Sequence, residues 1–224
     1  LALFLGVAML RQGTLWGAPV AGGFYAVFPH NLMVSLFAPI FLFAVLALAL
    51  GVMRFWRDVT PATSGADLTS PAAAEAAHAA LRLKYLDGGH GEGCHNEDDA
   101  WTHARRRYHH LTFYGFMLCF AATSVATLYH YVLGWPAPYD LTTLPKLLGV
   151  IGGVSLTVGT AGLWRLNLRR HPEHGDAAQK PMDRGFIALL FLVSVTGLLL
   201  WLLGATAAMP LMLAVHLGAV MALF

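Results

Sequence analysis

The chain has 224 residues, 57% of them hydrophobic and 12% charged, with a mean hydropathy of +0.60 and a formal net charge of +2. Soluble domains carry about 25% charged residues, so this composition excludes an ordinary soluble enzyme and a disordered chain. The small net charge offers no footprint for nucleic acid.

A bilayer-spanning helix needs about 20 apolar residues. Residues 1–10 are apolar and stop at Arg11. Residues 32–55 form the first full span, with Pro39 inside it as a candidate kink and His30 just after Pro29 at its mouth. The stretch 57–107 is the one sizeable polar region. Within it, 71–84 is Ala-rich and predicts a short helix, and the glycine-rich run 87–95 reads as irregular chain. Acidic 96–99 and basic Arg105–Arg107 follow. That pair either docks a soluble partner or is a solvated loop with a basic stop at the membrane face. Residues 111–133 and 144–166 are the next spans. The second of these carries Gly149, Gly152, Gly153, Gly159 and Gly162, a small-residue face for close helix approach, with Gly149 and Gly153 in a GxxxG pair. Residues 186–203 are the fourth full span. Residues 210–224 are apolar and still running at the last residue, with Pro210 suited to a first helical turn. The reading is an all-α, polytopic membrane helix bundle of six transmembrane helices, the first and last truncated. Residues 1–224 form one membrane domain, and 57–107 is a loop within it. With no initiator Met, no signal peptide and an unfinished last helix, the chain reads as a fragment of a longer polypeptide.

Lys and Arg alternate sharply between connections. Twelve lie around the second and fourth, and only Arg11 and Lys146 lie on the opposite side. By the positive-inside rule the 57–107 loop is cytoplasmic. Segments 11–29, 134–143 and 204–209 then face outward. Trp16, Trp135 and Trp201 fall near the outer interface, and Trp56 and Trp164 near the inner one, as interfacial anchors. The localisation expected is a bacterial inner membrane, multi-pass, in contact with lipid.

Eleven histidines are many for so apolar a chain, and five lie in or at the ends of the spans: His30, His109, His110, His130 and His216. A central charge costs about 2.5–3.5 kcal/mol, so ionisable residues in spans are functional candidates. No span holds a central Asp, Glu, Lys or Arg. A proton or ion pathway usually includes such groups. Histidines without them point to metal ligation by neutral imidazole, and in a membrane bundle to b-type haem. His109 and His130 are 21 residues apart, about 32 Å along a helix, which matches the hydrocarbon thickness. At 3.5 residues per turn they share one stripe, while His110 is turned by about 100°. His109 is therefore the expected inner ligand and His110 its alternative. His30, His130 and His216 all fall in the outer half. His130 and His216 are the expected axial pair, with His130, His216 and His109 as the metal ligands. His30 is a third candidate, a propionate partner, a quinone contact or a plain interfacial residue. The inner site lacks a second helical histidine within these residues.

Cys94 lies near His90 and His95 without a C-x-x-C partner, so neither an iron–sulfur nor a zinc site is complete. Cys119 is mid-span, a packing residue. There is no phosphate loop, dinucleotide fingerprint or nucleophile elbow, and no residue of the chain is assigned a catalytic role.

The stretches RRRYHHLTFYGF at 105–116, LCFAATSVATLYHY at 118–131 and AVHLG at 214–218 resemble the tricarballylate/citrate utilisation protein B family. Segments 81–94 and 24–30 are similar too, so the resemblance runs over nearly the whole chain. It implies a membrane part similar in architecture to the haem-b gamma subunits of respiratory nitrate reductases, and an iron–sulfur region N-terminal to it. It implies an electron route: a soluble FAD-dependent dehydrogenase oxidises tricarballylate to cis-aconitate, and electrons pass through iron–sulfur clusters and one or two b haems to quinone. The histidines that match the family pattern are His109, His110, His130 and His216. The family carries a further histidine after the last helix, which would supply the missing inner ligand. The expectation is thus a haem-b electron-transfer subunit. The rival is a transporter or membrane anchor without haem, whose histidines bond helices together or relay protons.

Overall fold

The computed structural model describes residues 1–16, 23–60, 69–87, 102–170 and 178–223. The Cys94, His90 and His95 group and the acidic 96–99 run lie outside the described residues. The order is α1 (Ala2–Gln12), α2 (Phe24–Val27), α3 (His30–Val59), α4 (Ser70–Leu81), a 3-10 turn (Lys84–Asp87), α5 (Ala104–Tyr131), α6 (Leu144–Arg169), α7 (Lys180–Leu203) and α8 (Met209–Leu223). No strand occurs among the described residues.

Local chemistry sets the helix ends. α1 closes on Gly13 at φ 71°, whose N–H donates to the Met9 carbonyl at 2.8 Å, a left-handed cap for which glycine has no Cβ penalty. α4 is capped by Thr69, whose Oγ1 accepts from the Ala72 N–H at 3.4 Å, and it carries Pro71 in its first turn. α6 and α7 likewise have proline in the first turn. Pro210 is the second residue of α8, and Pro39 lies inside an uninterrupted α3.

α3, α5, α6 and α7, of 30, 28, 26 and 24 residues, are long and apolar enough to cross a membrane. α1 and α8 are shorter apolar helices of 11 and 15 residues. The long helices overrun the apolar windows at their basic ends. α5 begins at Ala104, well before the window at 111, and α3 runs on to Val59. Hydrophobicity marks depth in lipid, whereas the backbone ladder continues past the interface while Arg side chains reach for water.

The helices contact one another in cyclic order. α5 packs on α6, α6 on α7, α7 on α8 and α8 on α1. α1 reaches α3 through Phe4 and Phe37, with ring centroids 6.1 Å apart. α3 returns to α5 through Phe41 and Phe120 at 6.3 Å and through His30 and His130. α3 has no buried residue and, among the described residues, no extended backbone contact with another helix. α5 and α6 lie closest. A Cβ on Gly152 would stand 2.8 Å from the Gly115 carbonyl and 2.9 Å from Cys119 N, and one on Gly159 2.6 Å from Thr112 N. Gly162 lies against the Tyr108 ring. The glycine face is thus helix packing. Gly152, Gly159 and Gly162 bring α5 in, whereas Gly153 faces Leu198 of α7, so the two glycines of the GxxxG pair look toward different helices. Cys119 packs on Gly152.

One buried cluster sits at one end of the bundle. Phe4 and Ala8 of α1, Val27 and Phe28 at α2, and Met209, Leu213 and Ala214 of α8 form one cluster, with Leu32, Met33, Leu36 and Phe37 of α3 packed against it. Arg11 Nε and Gln12 Nε2 both donate to the Ala26 carbonyl and hold α2 in place. At the opposite end Tyr114 Oη donates to the Leu81 carbonyl at 2.7 Å and Arg106 Nη2 to the Arg82 carbonyl at 3.2 Å, which fastens the end of α4 along α5.

Candidate functional site

α5 is one continuous helix with His109 near its start and His130 next to its last residue. The two histidines therefore stand at opposite ends of the bundle, about 32 Å apart along the axis.

At the His130 end, His30 opens α3 immediately after the buried Phe28 and the N-cap Pro29. Its ring stacks on that of His130, with centroids 4.1 Å apart and an interplanar angle of 20°. His30 Nε2 is 2.8 Å from the Tyr131 hydroxyl. Tyr25 meets His30 edge-on at 5.6 Å. His130 Nδ1 is buried, and no described residue hydrogen-bonds it. Such an orphan costs about 1–3 kcal/mol and is a rare feature of a folded chain. Around this pair Tyr129, Trp135 and Tyr139 form a second aromatic group, in which Trp135 stacks on Tyr129 at 5.3 Å. Tyr139 Oη lies 3.1 Å from the Ala126 carbonyl and 3.0 Å from that of Trp135. Burial pushes the Tyr25 phenol above its ordinary range, and the neighbouring Tyr139 and Tyr131 add to this. It is a neutral donor at physiological pH.

His216 lies on α8 against α7. Its Nδ1 is 3.1 Å from Thr196 Oγ1, and its ring covers Gly197, where a Cβ would stand 3.1 Å from His216 Cε1. α5 and α8, which carry His130 and His216, share no extended backbone contact. On the cycle of helices they are separated by α6 and α7 on one side and by α1 and α3 on the other.

At the other end of α5, His110 Nδ1 donates to the Arg106 carbonyl one turn back, at 3.1 Å, and its ring runs parallel to that of Tyr114. His109 makes no hydrogen bond to a described residue. The structure thus brings His30 and His130 into contact, sets the His216 ring of α8 against α7, and leaves His109 and His110 as neighbours on one helix. Among the described residues no three His, Cys, Asp or Glu side chains converge; the donors on offer are the imidazoles of α3, α5 and α8. Sequence reasoning missed Tyr131, Thr196 and Gly197. Tyr131 follows His130 directly, and Thr196-Gly197 is a polar and small pair inside an otherwise apolar span; those were the available signals.

The family model for citrate utilization protein B matches residues 1–224. Citrate utilization protein B of Escherichia coli is 56% identical over 225 residues, covering 100% of this chain and 58% of that protein. The chain therefore spans little more than half the length of this relative. No solved structure matches the chain. With a family match from the first residue to the last and this degree of identity, the chain belongs to the citrate utilization protein B family.

Proposed function

We propose that the chain is the membrane electron-transfer part of a citrate or tricarballylate utilisation system. It accepts electrons that originate in a cytoplasmic FAD-dependent dehydrogenase, carries them on b-type haem and delivers them to membrane quinone. Iron–sulfur clusters belong to a further part of the whole protein. In this reading α1 and α8 enter the bilayer beside the four long helices, six in all, in a bacterial inner membrane. The 57–107 loop and the arginine-rich helix ends face the cytoplasm.

The observation that carries the reading is the buried, unpartnered Nδ1 of His130 at the end of a helix that has His109 at its other end. Imidazoles without intramembrane carboxylates or lysines are a donor set for haem iron. A good axial imidazole has one ring nitrogen fixed by an acceptor and the other free. His216 fits, because Thr196 engages Nδ1 and no described residue bonds Nε2. α5 and α8 share no extended backbone contact, and His130 and His216 are not bonded to each other. Haem held there by His130 and His216 would supply a one-electron couple, which suits electron transfer. The residues of the chain hold the imidazoles. His30, bonded to Tyr131 at the bundle end, suits a quinone or propionate contact. His109, with His110 as alternative, is the ligand candidate at the cytoplasmic end.

The test is a reduced-minus-oxidised visible spectrum of the purified, haem-supplied protein with His130→Ala and His216→Ala beside it. Sharp low-spin b bands in the wild type, lost in both variants, are the expected result. A second reading has its own observation. His30 with Tyr131, and His216 with Thr196, are hydrogen bonds between helices, as in an anchor or transporter whose histidines only join helices. Folded, haem-supplied protein without these bands would select it.

A further inference from the structure

Thr196 is a buried hydroxyl in an apolar helix, 5% exposed. Its Oγ1 is 2.7 Å from the Leu192 carbonyl, one turn back, and 3.2 Å from the Val193 carbonyl. A hydroxyl has one proton and two lone pairs, and a carbonyl can only accept. The Thr196 proton therefore goes to the Leu192 carbonyl. The lone pairs of Oγ1 remain, and His216 Nδ1 faces them at 3.1 Å. For that contact to be a hydrogen bond, the proton must come from the ring. Nδ1 is then the N–H of the neutral imidazole, and Nε2 carries the lone pair.

Gly197 completes the arrangement. A Cβ there would lie 3.1 Å from Cε1, 3.6 Å from Nδ1 and 3.8 Å from Nε2 of His216. All three ring atoms are in reach of one backbone position, so the imidazole lies against α7. A Cβ at 197 would make the ring give by a few tenths of an ångström, enough to disturb its orientation.

We infer that Thr196 and Gly197 form a seat that fixes the tautomer and orientation of His216 and presents its Nε2 as the haem-ligating nitrogen. The inference rests on the haem reading above and adds Thr196 as a positioning residue, one that acts through His216 and does not itself touch the iron. An acceptor on the far ring nitrogen raises ligand basicity, and losing such a partner typically costs 10–100-fold in metal affinity or activity.

The experiment uses the whole chain in detergent or nanodiscs, titrated with haem, and compares wild type, Thr196→Val, Thr196→Ser, Gly197→Ala and His216→Ala. Haem affinity, the low-spin EPR signature and the midpoint potential are read. Thr196→Val is expected to weaken haem binding 10–100-fold and to shift the potential and the EPR signature of the haem that remains. Thr196→Ser, which keeps the hydroxyl, restores all three. Gly197→Ala lowers affinity with the hydroxyl intact. The seat is overturned if His216→Ala empties the site while Thr196→Val matches wild type in affinity, potential and EPR signature. The ligand reading itself fails, and the seat with it, if His216→Ala retains full haem with an unchanged spectrum. Should Thr196→Val not fold, the nitrogen-15 spectrum of the His216 ring in haem-free wild type decides. The Nδ1–H tautomer supports the seat, and the Nε2–H tautomer overturns it.

Discussion

His130 and His216 meet their surroundings in opposite ways. His216 has an acceptor for one ring nitrogen, whereas His130 Nδ1 is buried with none. In haem-free protein His130→Leu removes the orphaned group and is expected to raise stability by about 1–3 kcal/mol, measured by thermal unfolding in detergent. In haem-supplied protein the proposed ligation predicts that the same substitution abolishes the low-spin band, so stability and function are expected to move in opposite directions at one residue. Tyr25 gives a pH signature. Its phenol is held above the ordinary value of 10.0 by burial, so the folded chain retains that proton longer than the unfolded chain. The stabilisation is whole below pH 10 and is lost as pH rises through the folded value. Tyr25→Phe is expected to flatten that alkaline loss in unfolding curves taken across the range. The histidines themselves were legible in the sequence because imidazole inside an apolar run stands out at once. Their partners were not. Tyr131 is 101 positions from His30 and Thr196 is 20 from His216, and no local pattern encodes a bond between separate helices.

At the scale of the element, the four long spans and the Ala-rich α4 were readable from hydrophobic run length and propensity. α2 was not. Four residues following a glycine look like connection, yet Val27 and the adjoining Phe28 are fully buried, because the ends of α1 and α8 leave a gap that they fill. The glycine face of α6 was visible, but not which glycines meet which helix. Adding a Cβ at Gly152 drives it into the α5 backbone at Gly115 and Cys119, and backbone cannot yield as a side-chain end can. Gly152→Ala is expected to cost about 1–3 kcal/mol or more in denaturant unfolding of the purified protein. Gly51 in α3 has nothing within 4 Å of such an atom. Gly51→Ala is therefore expected to be neutral or to gain up to about 1 kcal/mol through helix propensity, and it is the matched control.

For the whole molecule, the cyclic contact order puts His30, His130, Trp135, and Lys146 over the Trp201 ring at one end. The bonds of Arg106 to Arg82 and of Arg184 Nε to Asn167 lie at the other. The same division into a sparse and an arginine-rich end underlies the proposed orientation. In a background without Cys94 and Cys119, a membrane-impermeant maleimide applied to intact cells is expected to label Thr142→Cys and to spare Ala77→Cys until the membrane is opened. Labelling of Ala77→Cys in intact cells would reverse the orientation and move the proposed dehydrogenase docking side with it.

The amino-acid sequence by itself determined that the chain is helical and membrane-suited, where its long helices run and which histidines lie in them. Each of these follows from the one-dimensional distribution of apolar, charged and imidazole side chains. Only the tertiary structure decided that His30 stacks on His130, that His216 rests on Thr196 and Gly197, and that α5 and α8 stand apart on the ring of helices. Those outcomes depend on which faces turn toward each other and how closely backbones approach. Small residues such as Gly152, Gly159 and Gly197 set them by leaving space, and space has no signature in hydrophobic periodicity.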